Sequence, residues 1–156
     1  MTKEQNEKIA SAKQALVTML GNFIGRNQAA VLGDLLRGEE RLAIAEQILS
    51  VWETIKTMPV SYEMDGREQK DVTVQLHYFL GGMDVWVTEK DFGEAREWTP
   101  VTPQLQAFGL IDLNGEPEMG YVSLQEVTEA GMELDLHWVK TDLESIYKKA
   151  RNRGYN

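Results

Sequence analysis

Cysteine is absent from this sequence of 156 residues, and only two histidines occur. Without thiols the chain can form no disulfide framework, no thiolate nucleophile and no cysteine-based zinc site. No apolar run approaches the roughly 20 residues that cross a bilayer as a helix, and the polar N-terminal segment has no signal-peptide core. We therefore expect a cytoplasmic protein that does not enter a membrane.

The signatures of several common enzymes are missing as well. The chain has neither the P-loop nor the GxGxxG pattern of nucleotide-binding folds. Ser123 follows Gly-Tyr-Val, which is not the nucleophile elbow of a Ser-His-Asp hydrolase. The sequence therefore favours a protein that is not an enzyme and needs no cofactor.

Positive charge is scarce in the middle of the chain. The net charge of the whole sequence is −9. Residues 61–140 hold five basic and sixteen acidic side chains, a net charge of −11, whereas the first 60 residues hold seven of each sign. An acidic surface repels phosphate and attracts basic proteins. We expect a protein partner with a basic surface and no direct binding to nucleic acid; solubility alone is the alternative explanation.

The first part of the chain has the periodicity of helices. Apolar residues recur at three- and four-residue spacing over residues 3–57, which predicts three amphipathic helices. Asn27 is the expected cap of the second helix. A helix-turn-helix that binds DNA is a weaker interpretation, because Glu39 and Glu40 would repel phosphate near the start of the third helix.

From residue 72 the apolar pattern alternates, as in strands. Gly81 and Gly82 separate two alternating runs and predict a hairpin with a two-residue turn. Residues 105–113 and 132–138 predict two further strands, and therefore an antiparallel sheet of about four.

Two helices are expected among and after these strands. Ser123 and Thr141 each stand three residues before a glutamate, the spacing of a capping box. They predict a short helix and a C-terminal helix that ends near Arg151. The fold class is therefore α+β, in a single domain with a helical part (1–58) and a part with the sheet and last helix (72–151).

A tight glycine turn also fixes which hairpin residues face each other. It places His77 opposite Trp86 and Tyr78 opposite Val85. One face is then apolar and should lie in the core: Val74, Leu76, Tyr78, Leu80, Met83, Val85 and Val87. The other face is mixed and carries Gln75, His77, Phe79, Asp84, Trp86 and Thr88. Because a solvated sheet does not need aromatic rings, this mixed face is either covered by the N-terminal helices or contacts a partner.

His77 has two interpretations. It could act as a base or metal ligand beside Asp84, or its ring could simply pack on Trp86. Packing is favoured, because no second histidine stands at ligand spacing and no nucleophile lies beside it.

The other histidine, His137, alternates with Glu133 and Asp135 along a predicted strand. Three such side chains can converge on a divalent cation. A row of this kind is also typical of the solvated face of a strand, and we assign no metal site.

Acidic residues gather around the third strand. Asp112 and Glu118 flank an Asn-Gly turn, Tyr121 follows, and Glu89 ends the second hairpin strand. Clustered carboxylates can perform acid–base chemistry when their pKa values differ, or they can serve turn formation alone. The candidate binding residues are His77, Asp84, Trp86, Glu89, Asp112, Glu118 and Tyr121, and none is assigned a catalytic role.

Four segments between residues 72 and 147 form a recognisable pattern: VWVTEKD, QAFGLIDL, EMGYVSLQEV and MELDLHW. Together they resemble a bacterial family catalogued as a domain of unknown function and carried on conjugative plasmids, integrative elements and prophages. The matching positions are Trp86, Thr88, Glu89, Phe108, Gly109, Leu110, Asp112, Glu118, Gly120, Tyr121, Ser123, Leu124, Glu126, Glu133, Asp135 and Trp138. Leu134 departs from the pattern, where many relatives are expected to have arginine. The resemblance implies a setting on mobile DNA but no activity.

The sequence therefore supports two hypotheses about function. The first is an accessory protein of a phage or mobile element that binds a protein partner, such as a counter-defence inhibitor of host machinery that handles nucleic acid. The alternative is a small metal-dependent enzyme or ligand-binding protein that uses the face of His77, Asp84, Glu89 and Asp112.

Overall fold

A computed structural model describes residues 1–93, 95–98 and 103–153. In these ranges the helices and strands are, in chain order, α1 (Lys3–Met19), α2 (Arg26–Leu35), α3 (Arg41–Thr57), β1 (Thr73–Val74), β2 (Leu76–Leu80), β3 (Met83–Glu89), β4 (Gln106–Asp112), β5 (Glu118–Ser123), α4 (Leu124–Glu129), β6 (Glu133–Leu134), β7 (Thr141–Asp142) and α5 (Leu143–Arg153). Short 3-10 turns lie at Gln69–Asp71 and Ala95–Glu97. Gly93, Pro100 and Pro103 predict a loop over residues 92–103, and this loop falls partly outside the described residues.

Five strands of the described chain form one antiparallel sheet in the order β5-β4-β3-β2-β6, and β1 pairs with β7 in a second, two-stranded sheet. Three helices precede the sheets and α5 follows them, so the predicted α+β class is confirmed. The glycine hairpin is confirmed as well. His77 pairs with Trp86 and Tyr78 with Val85, which is the register that a two-residue turn imposes.

The strands of the main sheet are not all those predicted. Residues 118–123 were expected to lead from a turn into a helix, but they form β5 at the edge of the sheet. The strand predicted for residues 132–138 is limited to β6. It ends early because the Asp135 side chain accepts a hydrogen bond from the backbone N–H of His137 at 2.9 Å and turns the chain.

The strand predicted from Val72 onward is interrupted at Gln75. β1 before this residue pairs with β7, whereas β2 after it pairs with β3. The interruption changes the face on which the apolar residues lie. Val74 is buried against α5, and Leu76 is buried on the side of the N-terminal helices.

Of the three predicted helix caps, one is correct. The Ser123 hydroxyl accepts the backbone N–H of Glu126 at 3.1 Å and caps α4. Asn27 is not a cap, because α2 begins at Arg26 after an extended residue. Thr141 is not a cap either: α5 begins one residue later than expected, and the Asp142 carboxylate accepts the backbone N–H of Ser145 at 2.9 Å. This hydrogen bond holds the pKa of Asp142 below its ordinary value.

The first hydrophobic core lies between the N-terminal helices and the apolar face of the sheet. The Tyr78 side chain crosses this core, and its hydroxyl donates a hydrogen bond to the carbonyl of Phe23 at 2.6 Å. The hairpin tip departs from the prediction, since Leu80 is exposed and Met83 is only half-buried. No helix in the described ranges is both long and apolar enough to cross a membrane.

A second, smaller core lies on the mixed face of the sheet. Trp86 and Leu110 pack there against Leu143, Ile146 and Ala150 of the last helix. Of the two alternatives given for this face, cover by the N-terminal helices is therefore wrong, and contact with a partner stays a prediction. These helices are already buried against the apolar face, and α5 covers the centre of the mixed one.

Gly109 of β4 allows a close approach between strands that a larger residue would prevent. A Cβ atom at this position would lie 2.0 Å from the carbonyl oxygen of Trp86, which is rigid backbone. Gly120 pairs with Gly109 in the next strand, but a Cβ atom there would lie 3.8 Å from its nearest neighbour.

We predict that Gly109→Ala lowers the free energy of unfolding by about 2–3 kcal/mol, because the added methyl group separates β4 from β3. Gly120→Ala is the matched control and should change it by less than about 0.5 kcal/mol. Urea unfolding followed by tryptophan fluorescence measures both. Equal stabilities of the two variants would contradict the pairing of Val87 with Gly109.

Candidate functional site

The candidate residues divide into two groups on the mixed face. His77, Asp84, Trp86 and Asp112 lie near the hairpin and beside α5. At the other end, a bulge between Val87 and Glu89 places Glu89 opposite Phe108, which itself pairs with Tyr121. Glu118 belongs to neither group, because it pairs with Ile111 at the exposed start of β5.

Three residues of the first group, His77, Asp84 and Asp112, form a cluster of ion pairs with Arg153 and Asp135, which we call the ion cluster. Asp84 and Asp112 are directly opposite each other in neighbouring strands, a pairing of like charges that is unfavourable without a cation. Arg153 supplies the cation. Its Nη1 donates to Oδ2 of Asp84 at 2.8 Å and its Nη2 to Oδ2 of Asp112 at 2.7 Å. The hydrogen bond to Asp84 is the largest cause of the raised pKa of Arg153.

His77 joins the cluster from the neighbouring strand. Its Nε2 lies 2.7 Å from Oδ1 of Asp84 and its Nδ1 lies 3.0 Å from Oδ2 of Asp135. Both nitrogens can donate at once only in the imidazolium form. The ring also stacks on Trp86, with centroids 5.6 Å apart and planes 12° apart. The favoured packing of His77 on Trp86 is therefore present, and the same ring also lies beside Asp84.

The carboxylates of the ion cluster are already bound by neighbouring groups of the chain. Asp112 is 1% exposed, and its two oxygens accept hydrogen bonds from Gly115 and Arg153. Glu89 takes no part, because it stands opposite Phe108 at the other end of the face. No group of three histidine or carboxylate side chains among the described residues could hold a metal ion.

The row proposed around His137 does not form. β6 ends at Leu134, so the residues after it no longer alternate across a strand. His137 and Glu133 are exposed, whereas Asp135 turns to His77.

The second group surrounds a cavity of about 250 Å³, which we call the tyrosine cavity. Three of its walls are aromatic: Tyr62, Phe108 and Tyr121. The rings of Phe108 and Tyr121 lie 5.0 Å apart. Asp65 and Glu89 add carboxylates, and Arg67 is a lining cation. The remaining lining residues are Met64, Gly66, Gln69, Val72, Thr88, Met119 and Leu143.

The backbone of Tyr62 is held in an unusual conformation. Its φ is +76°, a left-handed value that costs a bulky residue free energy. The Glu89 carboxylate compensates, because it accepts the backbone N–H groups of Tyr62 at 3.1 Å and of Met64 at 2.9 Å. Glu89 is therefore the anchor that holds the Tyr62 ring over the cavity.

A hydrogen bond with Tyr62 raises the pKa of Tyr121 to about 12, and the negative charges of Glu89 and Asp65 contribute to the same shift. The cavity lining itself carries two carboxylates, Asp65 and Glu89, and one cation, Arg67. This balance of charges favours a cation over an anion.

Sequence reasoning missed Arg153 and Tyr62. Arg153 had a usable signal, since it continues the i, i+3, i+7 stripe of Leu143, Ile146 and Ala150 on the buried side of α5. Tyr62 had none, because it lies in a polar connector whose strained turn depends on a carboxylate 27 residues away.

Comparisons with known proteins find no matching family model, no matching curated protein and no matching solved structure. The resemblance to the mobile-element family therefore stays a prediction. The function has to be argued from the geometry and charges of this chain.

Arg153→Ala should leave two facing carboxylates without their cation. Removing one partner of a buried ion pair costs about 3–5 kcal/mol. The side chain of Arg153 is 47% exposed, so we expect about 2–3 kcal/mol in urea unfolding because solvent screens part of the interaction.

Arg151→Ala is the matched control for this substitution. Arg151 is in the same helix but lies over the Tyr147 ring, at 5.7 Å, and its loss should change stability by less than about 0.5 kcal/mol. Adding Asp112→Asn to Arg153→Ala should recover part of the loss, because one uncompensated charge is removed. If the changes in the free energy of unfolding caused by Arg153→Ala and Asp112→Asn simply add, repulsion between the carboxylates is not the cause of the lost stability.

Tyr62→Phe should lower the pKa of Tyr121 from about 12 toward its ordinary value of 10.0, because it removes the main cause of the shift. Carbon-13 NMR of protein labelled at tyrosine Cζ measures this titration. Tyr147→Phe is the control and should leave the Tyr121 curve unchanged. An unchanged curve in Tyr62→Phe would show that Tyr62 is not the cause of the raised pKa of Tyr121.

Proposed function

We propose that this protein acts by binding a protein partner with a basic surface, as an accessory factor of a phage or other mobile element. The observation that carries the proposal is a group of exposed rings, the aromatic patch, formed by Tyr62, Phe92 and Tyr121. They are 64%, 60% and 49% exposed. The Tyr62 ring lies 6.3 Å from that of Phe92 and 6.5 Å from that of Tyr121.

Exposed rings that contact each other are typical of protein interfaces, which are enriched in tyrosine and phenylalanine. The aromatic patch belongs to the section of the chain with a net charge of −11. Asp65 is exposed close to Tyr62, and Glu118 is exposed at the start of the strand that carries Tyr121. An exposed carboxylate beside the rings, in a section of the chain with this net charge, favours a partner that is basic.

A basic surface that binds this patch is suited to binding nucleic acid too. The acidic protein would then steer toward such a partner and compete with its DNA or RNA. Together with the resemblance to a family on mobile elements, this supports a counter-defence inhibitor of host machinery that handles nucleic acid.

The metal-dependent alternative has less support. It would use His77, Asp84, Glu89 and Asp112, but Arg153 bridges two of these carboxylates. Glu89 is engaged by backbone N–H groups at the other end of the face.

The proposal predicts that the immobilised protein retains a basic, nucleic-acid-binding protein from a bacterial lysate. The triple variant Tyr62→Ser, Phe92→Ser, Tyr121→Ser should retain at least about tenfold less, because interface rings contribute most of the binding free energy. Added salt should weaken capture by screening the carboxylates. Mass spectrometry identifies the retained protein.

The matched control replaces three exposed apolar residues elsewhere, Val17, Val31 and Val139, by serine and should retain the partner. Added wild-type chain should displace nucleic acid from the purified partner in a fluorescence anisotropy assay. Equal capture by both triple variants would count against the patch, and unchanged nucleic-acid binding would count against an inhibitor.

A further inference from the structure

The tyrosine cavity adjoins an open edge of the main sheet. Met119 and Tyr121 of β5 line the cavity, and in the described chain β4 is the sole strand that pairs with β5. The outer side of β5 therefore presents backbone groups that have no strand partner. A peptide strand paired with that side would lie about 5 Å from β5, within side-chain reach of the cavity.

This edge has few of the features that usually prevent strand addition. Proteins commonly protect an edge with charged side chains, proline or a bulge. β5 begins with one charged residue, Glu118, after Pro117, but it contains no lysine, and its six residues pair with β4 in unbroken register. None of the six is buried. Main-chain pairing with an extended segment is a common mode of peptide recognition at such an edge.

The cavity beside the edge is suited to a planar cation. Its aromatic faces offer stacking, and the exposed Asp65 offers an acceptor. The oxygens of Glu89 each accept one backbone N–H and keep a further lone pair. Glu89 is 5% exposed, so its charge is fixed in place rather than freely solvated. Arg67 offsets only one of the two negative charges on the lining.

The backbone conformation of Tyr62 is consistent with a ligand site at the same place. Residues held in sparsely populated backbone regions cluster at ligand sites, where the surrounding structure maintains the strain. Among the described non-glycine residues, only Tyr62 has a positive φ. Its strained turn places an exposed ring at the mouth of the cavity instead of in a core.

We infer that the basic partner contributes an extended segment that adds to the outer edge of β5 and inserts one arginine side chain into the tyrosine cavity. This inference rests on the proposed function and names the segment that the aromatic patch recognises. Arginine fits better than lysine, because its flat guanidinium stacks on a ring while its five N–H groups donate to carboxylates.

Pools of blocked nonapeptides test the inference directly. Their central residue is arginine, lysine or citrulline, and the other positions hold an equimolar mixture of valine, isoleucine, threonine and lysine. The arginine pool should bind at least about tenfold more tightly than the citrulline pool, which keeps the shape but loses the charge. The lysine pool should fall between them.

The same pools test the contact with the strand edge. N-methylation of alternate backbone amides in the arginine peptides should reduce binding about tenfold in one of the two alternations, because only one set of N–H groups faces β5. Backbone amide NMR signals of residues 118–123 should shift on addition of the unmethylated pool.

Variants of the intact chain locate the cavity. Asp65→Asn should weaken binding of the arginine pool several-fold, and Arg67→Ala should strengthen it by removing the competing cation. Asp71→Asn is the control, since Asp71 is an exposed carboxylate of the same segment that does not line the cavity. All three changes are on the surface, so folding should be retained.

The outcomes separate the inference from the proposed function. If the arginine and citrulline pools bind equally, or if the NMR shifts fall outside β5 and the cavity, the inference is wrong. The proposed function then stands as long as the aromatic patch is still required for capture of a basic protein. If that capture fails as well, both proposals are wrong.

Discussion

The guanidinium of Arg153 joins the last helix to two strands of the main sheet. β3 and β4 place Asp84 and Asp112 opposite each other, and the pairing is tolerable because Arg153 donates to both carboxylates. Arg153 is the last described residue of α5, so the same contact fixes the helix over Trp86 and completes the second core. It also orients Asp84 toward the ring of His77. Charge pairing and hydrophobic burial on this face therefore depend on each other.

Because of this dependence, the two ends of the mixed face differ. Where α5 lies on the sheet, polar side chains are paired with each other and serve stability. Beyond the first turn of the helix, the bulge before Glu89 gives the face a buried carboxylate, which is used to hold Tyr62 in a strained turn. Strain and exposed rings thus occur at the end that the helix leaves open. This is why the proposed binding site lies at that end and not at His77.

Sequence reasoning succeeded where a local rule determines the outcome. The turn at Gly81 and Gly82 fixed the hairpin register, because a two-residue loop permits one pairing. It failed where the determinant is distant. β5 is a strand because β4 lies beside it, and a short segment containing Gly120 carries little strand signal of its own. The cap of α5 was missed by one residue, and Tyr62 was missed because its position depends on Glu89. The hairpin residues of the candidate site could therefore be placed from the sequence, whereas Tyr62, in the connecting loop, could not.

The net charge of the acidic section also has to be corrected for burial. Asp84, Glu89 and Asp112 are buried, and each is engaged by an arginine, a histidine or backbone N–H groups. These three carboxylates contribute little to the field outside the protein, so a partner senses mainly the exposed ones. That field is screened within about 8–10 Å at moderate salt, and it can direct an approach but cannot hold a complex for long. Long residence requires desolvated contacts, which the rings and the open strand edge can provide. In the proposed binding the acidic composition and the aromatic patch would therefore have different roles: the first would favour encounter, and the second would retain the partner.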